Sequence, residues 1–119
     1  MILEPGSKVL VVHRRLFEND RARYFVGAVD KCEGVLARIT GKTWVQDPFN
    51  SAFLRKEDPR TKIVSLESGS MIVYVLPGYI ELSALTFDYS NKGQVFLHSP
   101  DNSFRMDLSE GVRGLRQGE

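Results

Sequence analysis

Short apolar runs alternate with short polar ones along the whole chain, and no window of ten residues holds a helical period. Residues 8–17 (KVLVVHRRLF) are apolar and rich in β-branched side chains, which predicts a strand. Both of its faces start apolar and end polar, as in a strand that enters a core and leaves it. Residues 18–23 (ENDRAR) form a polar connection, with Asn19-Asp20 as turn formers. Residues 24–31 predict a second strand, with Phe25, Gly27 and Val29 on one face and Tyr24, Val26 and Ala28 on the other. A glycine inside a strand marks a bend or a close backbone approach, and small barrels need such bends to close. Cys32-Glu33-Gly34 predicts a turn, and residues 35–40 return antiparallel. Gly41-Lys42 then reads either as a tight turn with glycine first or as part of a strand that continues through Trp44-Val45.

Asp47-Pro48-Phe49-Asn50 closes this section. Residues 51–62 hold Arg55, Lys56, Glu57, Asp58, Arg60 and Lys62 around Pro59, which predicts an exposed loop or, over 51–57, a helical turn. Residues 63–66 and 71–76 predict strands, or halves of one strand, with a turn or bulge at 67–70. Pro77-Gly78 is a turn signal. Residues 79–89 alternate as a strand whose phase slips at Ser83-Ala84, as at a β-bulge. A turn at 90–93, a strand at 94–98 and a last strand at 103–108 follow. Beyond Ser109 the chain is polar and glycine-rich, which predicts a mobile tail over 109–119. Seven or so short strands imply an all-β sandwich or barrel, and 119 residues imply one domain, over 1–108.

Composition narrows the function. The net charge is +1, so no global field draws the chain to nucleic acid or anionic membrane. The charge is uneven: residues 1–62 carry 12 Lys/Arg against 8 Asp/Glu, and residues 63–119 carry 4 against 7. No apolar run approaches the ~20 residues that span a bilayer. The first residues lack the cationic and apolar regions of a signal peptide, and Cys32 is the sole cysteine, so the expected location is cytoplasmic. His13, His98 and Cys32 are the strong metal ligands, and no two of them stand at zinc-site spacing. No glycine elbow accompanies a nucleophile, and no phosphate-binding glycine loop is present. These observations predict a non-enzymatic protein without metal or cofactor.

Two segments carry a resemblance. Phe25-Val26-Gly27-Ala28-Val29 has the apolar–x–Gly–x–apolar core of the first Sm motif, with Cys32-Glu33 where that motif has its Phe-Asp turn and residues 35–39 as the returning strand. Residues 71–76, Pro77-Gly78, and Ile80 with Leu82 follow the outline of the second, with Pro77 in place of its arginine. Residues 8–82 thus resemble the Sm-like, or more broadly SH3-like, small β-barrels. The resemblance implies one strongly bent antiparallel barrel, with residues 83–108 as an added C-terminal β-hairpin. It also implies a homo-oligomeric ring that binds RNA, with Lys31 and Arg38 supplying charge and Tyr79 a stacking surface.

Two other readings stand beside this one. A protein–protein interaction or structural module needs only exposed strand edges, and it fits the near-neutral charge. A small-ligand binder or enzyme would use His98, Asp88 and His13 as its polar groups.

Overall fold

The computed structural model describes residues 2–13, 23–47, 49, 52–89 and 94–108. Among the described residues nine strands form: β1 (Lys8–His13), β2 (Arg23–Glu33), β3 (Leu36–Gln46), β4 (Phe53–Arg55), β5 (Arg60–Ser65), β6 (Met71–Leu76), β7 (Thr86–Tyr89), β8 (Val95–His98) and β9 (Arg105–Asp107). A single 3-10 turn, Leu82–Ala84, is the one helical element among the described residues. The protein is all-β and every strand pair is antiparallel. The chain divides into two compact units, Met1–Leu82 and Ser83–Glu119.

The first unit is a six-stranded sheet in the order β4-β3-β2-β1-β6, with β5 also paired to β3. Because β2 occupies one side of β3 along its length, β4 and β5 share the other side in succession. The last strand, β6, returns to pair with the first, Lys8 opposite Leu76 through His13 opposite Met71. Alternation on each strand sends one set of side chains inward. Val9, Val11, Phe25, Val29, Ala37, Ile39 and Val64 form the core with Leu3, and Cys32, Met71 and Val73 pack against it. The opposite face of β1 and β2 is buried as well, at Leu10, Tyr24 and Val26.

Two sequence readings are corrected. The charged stretch 51–62 is loop only in part: it supplies β4 and the start of β5, and the exposed loop is reduced to residues 56–59 between them, with no helical turn among its described residues. The reason is that β3 runs straight through Gly41-Lys42 to Gln46, so its far half offers an edge. Arg55 pairs with Trp44, Leu54 with Val45 and Phe53 with Gln46, and the Lys56 N–H continues the ladder to the Thr43 carbonyl. The guanidinium of Arg55 lies 5.8 Å from the Trp44 ring and the Phe53 ring 5.6 Å from that of Tyr24. Ladder bonds and ring contacts outweigh the polar composition.

Residues 79–85 are not strand. The Ile80 N–H reaches back to the Pro77 carbonyl, the 3-10 turn follows, and β7 begins only at Thr86. Ile80 and Leu85 are both buried, so the alternation that predicts a strand reflects two anchors of an irregular segment.

The second unit is a three-stranded sheet, β7-β8-β9, one strand more than a hairpin. The end of the first predicted strand (14–17), the turn at Asn19-Asp20, the turn at 90–93 and the tail 109–119 lie outside the described residues.

Candidate functional site

The β2–β3 hairpin turns on Gly34-Val35, with Glu33 paired to Leu36. Gly34 has a φ of +58°, the left-handed geometry that favours glycine at the first turn position. The turn thus lies one residue later than Cys32-Glu33-Gly34 predicts. Below it the register shifts at Asp30. Up to that point Gly27 faces Gly41 and Val29 faces Ile39; beyond it Lys31 faces Arg38 and Cys32 faces Ala37. An unshifted ladder would set Lys31 opposite the buried Ala37. The bulge therefore sends Lys31 outward beside Arg38 and turns Cys32 toward the core.

The outer surface of β2, β3 and β5 here forms cross-strand rows. Lys31, Arg38 and Ile63 make one row; Glu33, Leu36 and Ser65 make the next. Ile63 is 67% exposed and Leu36 46%. Lys31, Glu33, Leu36, Arg38 and Ile63 line a shallow groove of about 150 Å³. The charges are already matched: the Lys31 ammonium is 3.2 Å from the Glu33 carboxylate and Arg38 Nε 3.9 Å from that of Asp30. The Thr40 hydroxyl bonds Asp30 and the Thr61 hydroxyl, tying the row below. Val35 and Leu66, also exposed, extend the apolar patch and are joined by a Leu66 N–H to Val35 carbonyl bond. An apolar patch with a rim of paired charges is the composition of a protein contact surface.

Two of the three predicted site residues, Lys31 and Arg38, are thus brought together, though they stand seven positions apart in sequence. Tyr79 does not line this groove. It is 71% exposed on the turn after β6, which the Lys8 ammonium holds by donating to the carbonyls of Gly78 and Ile80. Lys8 pairs with both Ala28 and Leu76, so Lys31 and Tyr79 follow their strands beyond the same end of the sheet. Sequence reasoning missed Leu36 and Ile63. Their signal was strand alternation, which assigns a face only once the Asp30 shift is known.

His98 and Asp88 also meet. The His98 ring sets Nε2 against the Asp88 carboxylate and Nδ1 against the Ser99 carbonyl, so both ring nitrogens face an acceptor within the protein. His13 belongs to the other unit and has other neighbours. Among the described residues no three His, Cys, Asp or Glu side chains gather to hold a metal ion. No described helix is long and apolar enough to cross a membrane.

No family model, no curated protein and no solved structure matches this chain.

Proposed function

We propose that this chain is a non-enzymatic binding module that assembles with copies of itself, on a small bent barrel of the SH3-like or Sm-like kind. One observation carries the assembly: among the described residues β6 is an end strand of the sheet, and its six residues, Met-Ile-Val-Tyr-Val-Leu, include no charge, proline or glycine. Edge strands are ordinarily protected by such residues, and an unguarded apolar edge is a template for another strand. The other end of the sheet offers β5, also six residues long, with Ile63 exposed as Val75 is on β6. Joining the β5 edge of one copy to the β6 edge of the next is a heterologous contact, which closes into a ring or a short oligomer. The return of β6 to β1 supports the barrel, since it brings the first and last strands of the unit side by side.

The groove of Leu36 and Ile63, with its charges internally paired, fits a protein segment as partner. RNA is the second reading, favoured by the exposure of Lys31, Arg38 and Tyr79 at one end of the sheet. Analytical ultracentrifugation of the full chain from low micromolar to roughly 100 µM tests assembly, the expected result being a mass that exceeds the monomer. A monomer throughout would overturn it. Fluorescence anisotropy with oligo-U and oligo-A at low salt tests the RNA reading, because phosphate contacts are strongest there.

A further inference from the structure

The inner face of the first unit is apolar for most of its length and cationic at one end. By alternation Val9, Val11 and His13 of β1, Arg23, Phe25 and Val29 of β2, and Lys62 and Val64 of β5 share this face, with His13 and Arg23 exposed where it reaches the end of the sheet. Val12 faces Tyr24, so the next step of the same register sets His13 against Arg23. Phe25, two residues along from Arg23, is fully buried, and the Lys62 ammonium lies 4.6 Å from the centre of its ring. Lys62 stands opposite Ile39 and two residues before Val64, both buried, where a sheet interior ordinarily holds an apolar side chain. Three strands thus deliver an imidazole, a guanidinium and an ammonium to one place.

No carboxylate among the described residues is ion-paired with any of the three. The acids that do pair serve Lys31, Arg38, Lys42, Arg55 and His98. The charges acting on His13 are Lys62 and Arg23, and those acting on Lys62 are Arg23 and Arg60, all cationic. Arg60 also borders a cavity of about 340 Å³ that Thr43, Lys56, Glu57 and Asp58 line with it. Burial first, and mutual repulsion second, hold both His13 and Lys62 below their ordinary pKa values. A bound anion reverses the repulsion and supplies acceptors to donors that have no carboxylate partner among the described residues.

We propose that His13, Arg23 and Lys62 form a binding site for a phosphate dianion at this end of the inner face. The guanidinium fork and the ammonium suit a tetrahedral oxyanion with several acceptor oxygens. The ring of Phe25 keeps water from one side of Lys62, which strengthens a charged contact. Two fixed cations and a titratable third match the double charge of free phosphate or a monoester better than the single charge of a nucleic-acid diester. The site lies on the inner face, away from the outward row of Lys31 and Arg38, and does not depend on self-assembly.

Thermal melts and calorimetric titrations of the full chain, at constant ionic strength, test this with inorganic phosphate, ribose 5-phosphate and a short single-stranded oligonucleotide. The first two should bind saturably and raise the melting temperature. Lys62→Met and Arg23→Gln should each weaken binding by about tenfold or more, the loss expected when a charged hydrogen-bond partner is removed. Lys62→Met should melt no lower than wild type without phosphate, since an apolar side chain then covers Phe25. If that variant fails to fold, Arg23→Gln carries the comparison, because Arg23 is exposed. No saturable response to phosphate and monoester overturns the site, as does equal response in wild type and variants. Binding of the oligonucleotide alone also overturns it, assigning the cluster to a polyanion backbone.

Discussion

Gly27 and Gly41 face each other across the β2–β3 ladder, and neither leaves room for a Cβ on the other. A Cβ on Gly27 would overlap the carbonyl of Thr40, and one on Gly41 the carbonyl of Val26. Both obstacles are backbone, so they cannot rotate aside. The pair lets the two longest strands cross closely midway along their length. Gly27→Ala and Gly41→Ala should each cost about 2–4 kcal/mol or prevent folding, the range for backbone strain and overpacking. Gly78→Ala is the contrast: Gly78 has an ordinary φ and open space around its Cα, so the variant should melt within a few degrees of wild type. Urea titrations of the three variants check this, and a tolerated Gly41→Ala would refute the close-approach account.

Val75 is the point at which assembly can be separated from folding. It is 60% exposed on β6 and faces Val9 across the ladder. Val75→Lys places a charge on the unguarded edge, the device natural sheets use to stop edge pairing. Stability should change by no more than about 1 kcal/mol, as for surface substitutions generally. The sedimenting mass should fall to the monomer. A variant that stays assembled would move the contact away from β6.

Much of the sheet is legible in the sequence because burial and turn chemistry act locally there. The inward residues of β1 and β2 follow from simple alternation, and the buried glycine at position 27 stands out in an apolar strand. What escapes the sequence is set by pairing partners. β4 exists because β3 continues past Gly41 and leaves an edge for Phe53–Arg55, and nothing in a charged stretch announces that. The proximity of Lys31 to Arg38 depends on a one-residue shift at Asp30, which no glycine marks. The same shift decides that Cys32 is a core neighbour rather than an exposed thiol. Lys62 reads as a loop cation until β5 places it on Phe25, so the cationic cluster emerges only with the fold.

The cluster has a pH signature. His13 has a folded pKa below its ordinary 6.5, so the unfolded chain binds its proton more readily. Stability from this group is therefore fully present above pH 6.5 and is lost as pH falls from there through the lowered folded value. Lys62 shifts the same way, its contribution rising as pH climbs toward its ordinary value of 10.5. Glu57 and Asp101 are also held low but act below their ordinary values of 4.5 and 3.8, below the interval in which His13 acts. Denaturation in phosphate-free buffer should show wild type losing stability below pH 6.5 and His13→Gln losing less. Lys62→Met should shrink the loss too, since it removes a facing cation. An unchanged profile in His13→Gln would place the titration elsewhere.

The loop between β8 and β9 closes on one carboxylate. Asp101 Oδ1 accepts the Ser103 N–H at 3.0 Å and the Ser99 hydroxyl at 2.9 Å, while Ser99 Oγ accepts the Phe104 N–H at 3.1 Å. Asn102 sits between them at a φ of +60°, a left-handed position that asparagine tolerates better than most residues. The Ser103 backbone and hydroxyl bonds, then that of Ser99, hold the Asp101 carboxyl at about 2 although it is fully exposed. The bonds favour the ionised form, so the ordering they give is present above the ordinary value of 3.8 and fades as pH falls through about 2. A carbon-detected titration should place the Asp101 midpoint near 2, well below its ordinary 3.8. Asp101→Asn keeps an acceptor oxygen and should hold the loop while abolishing that titration. Asp101→Ala removes the acceptor and should speed exchange of the Ser103 amide by about tenfold, a local opening rather than a global one. Exchange that stays slow in the alanine variant would assign the order of the loop to Ser99 alone.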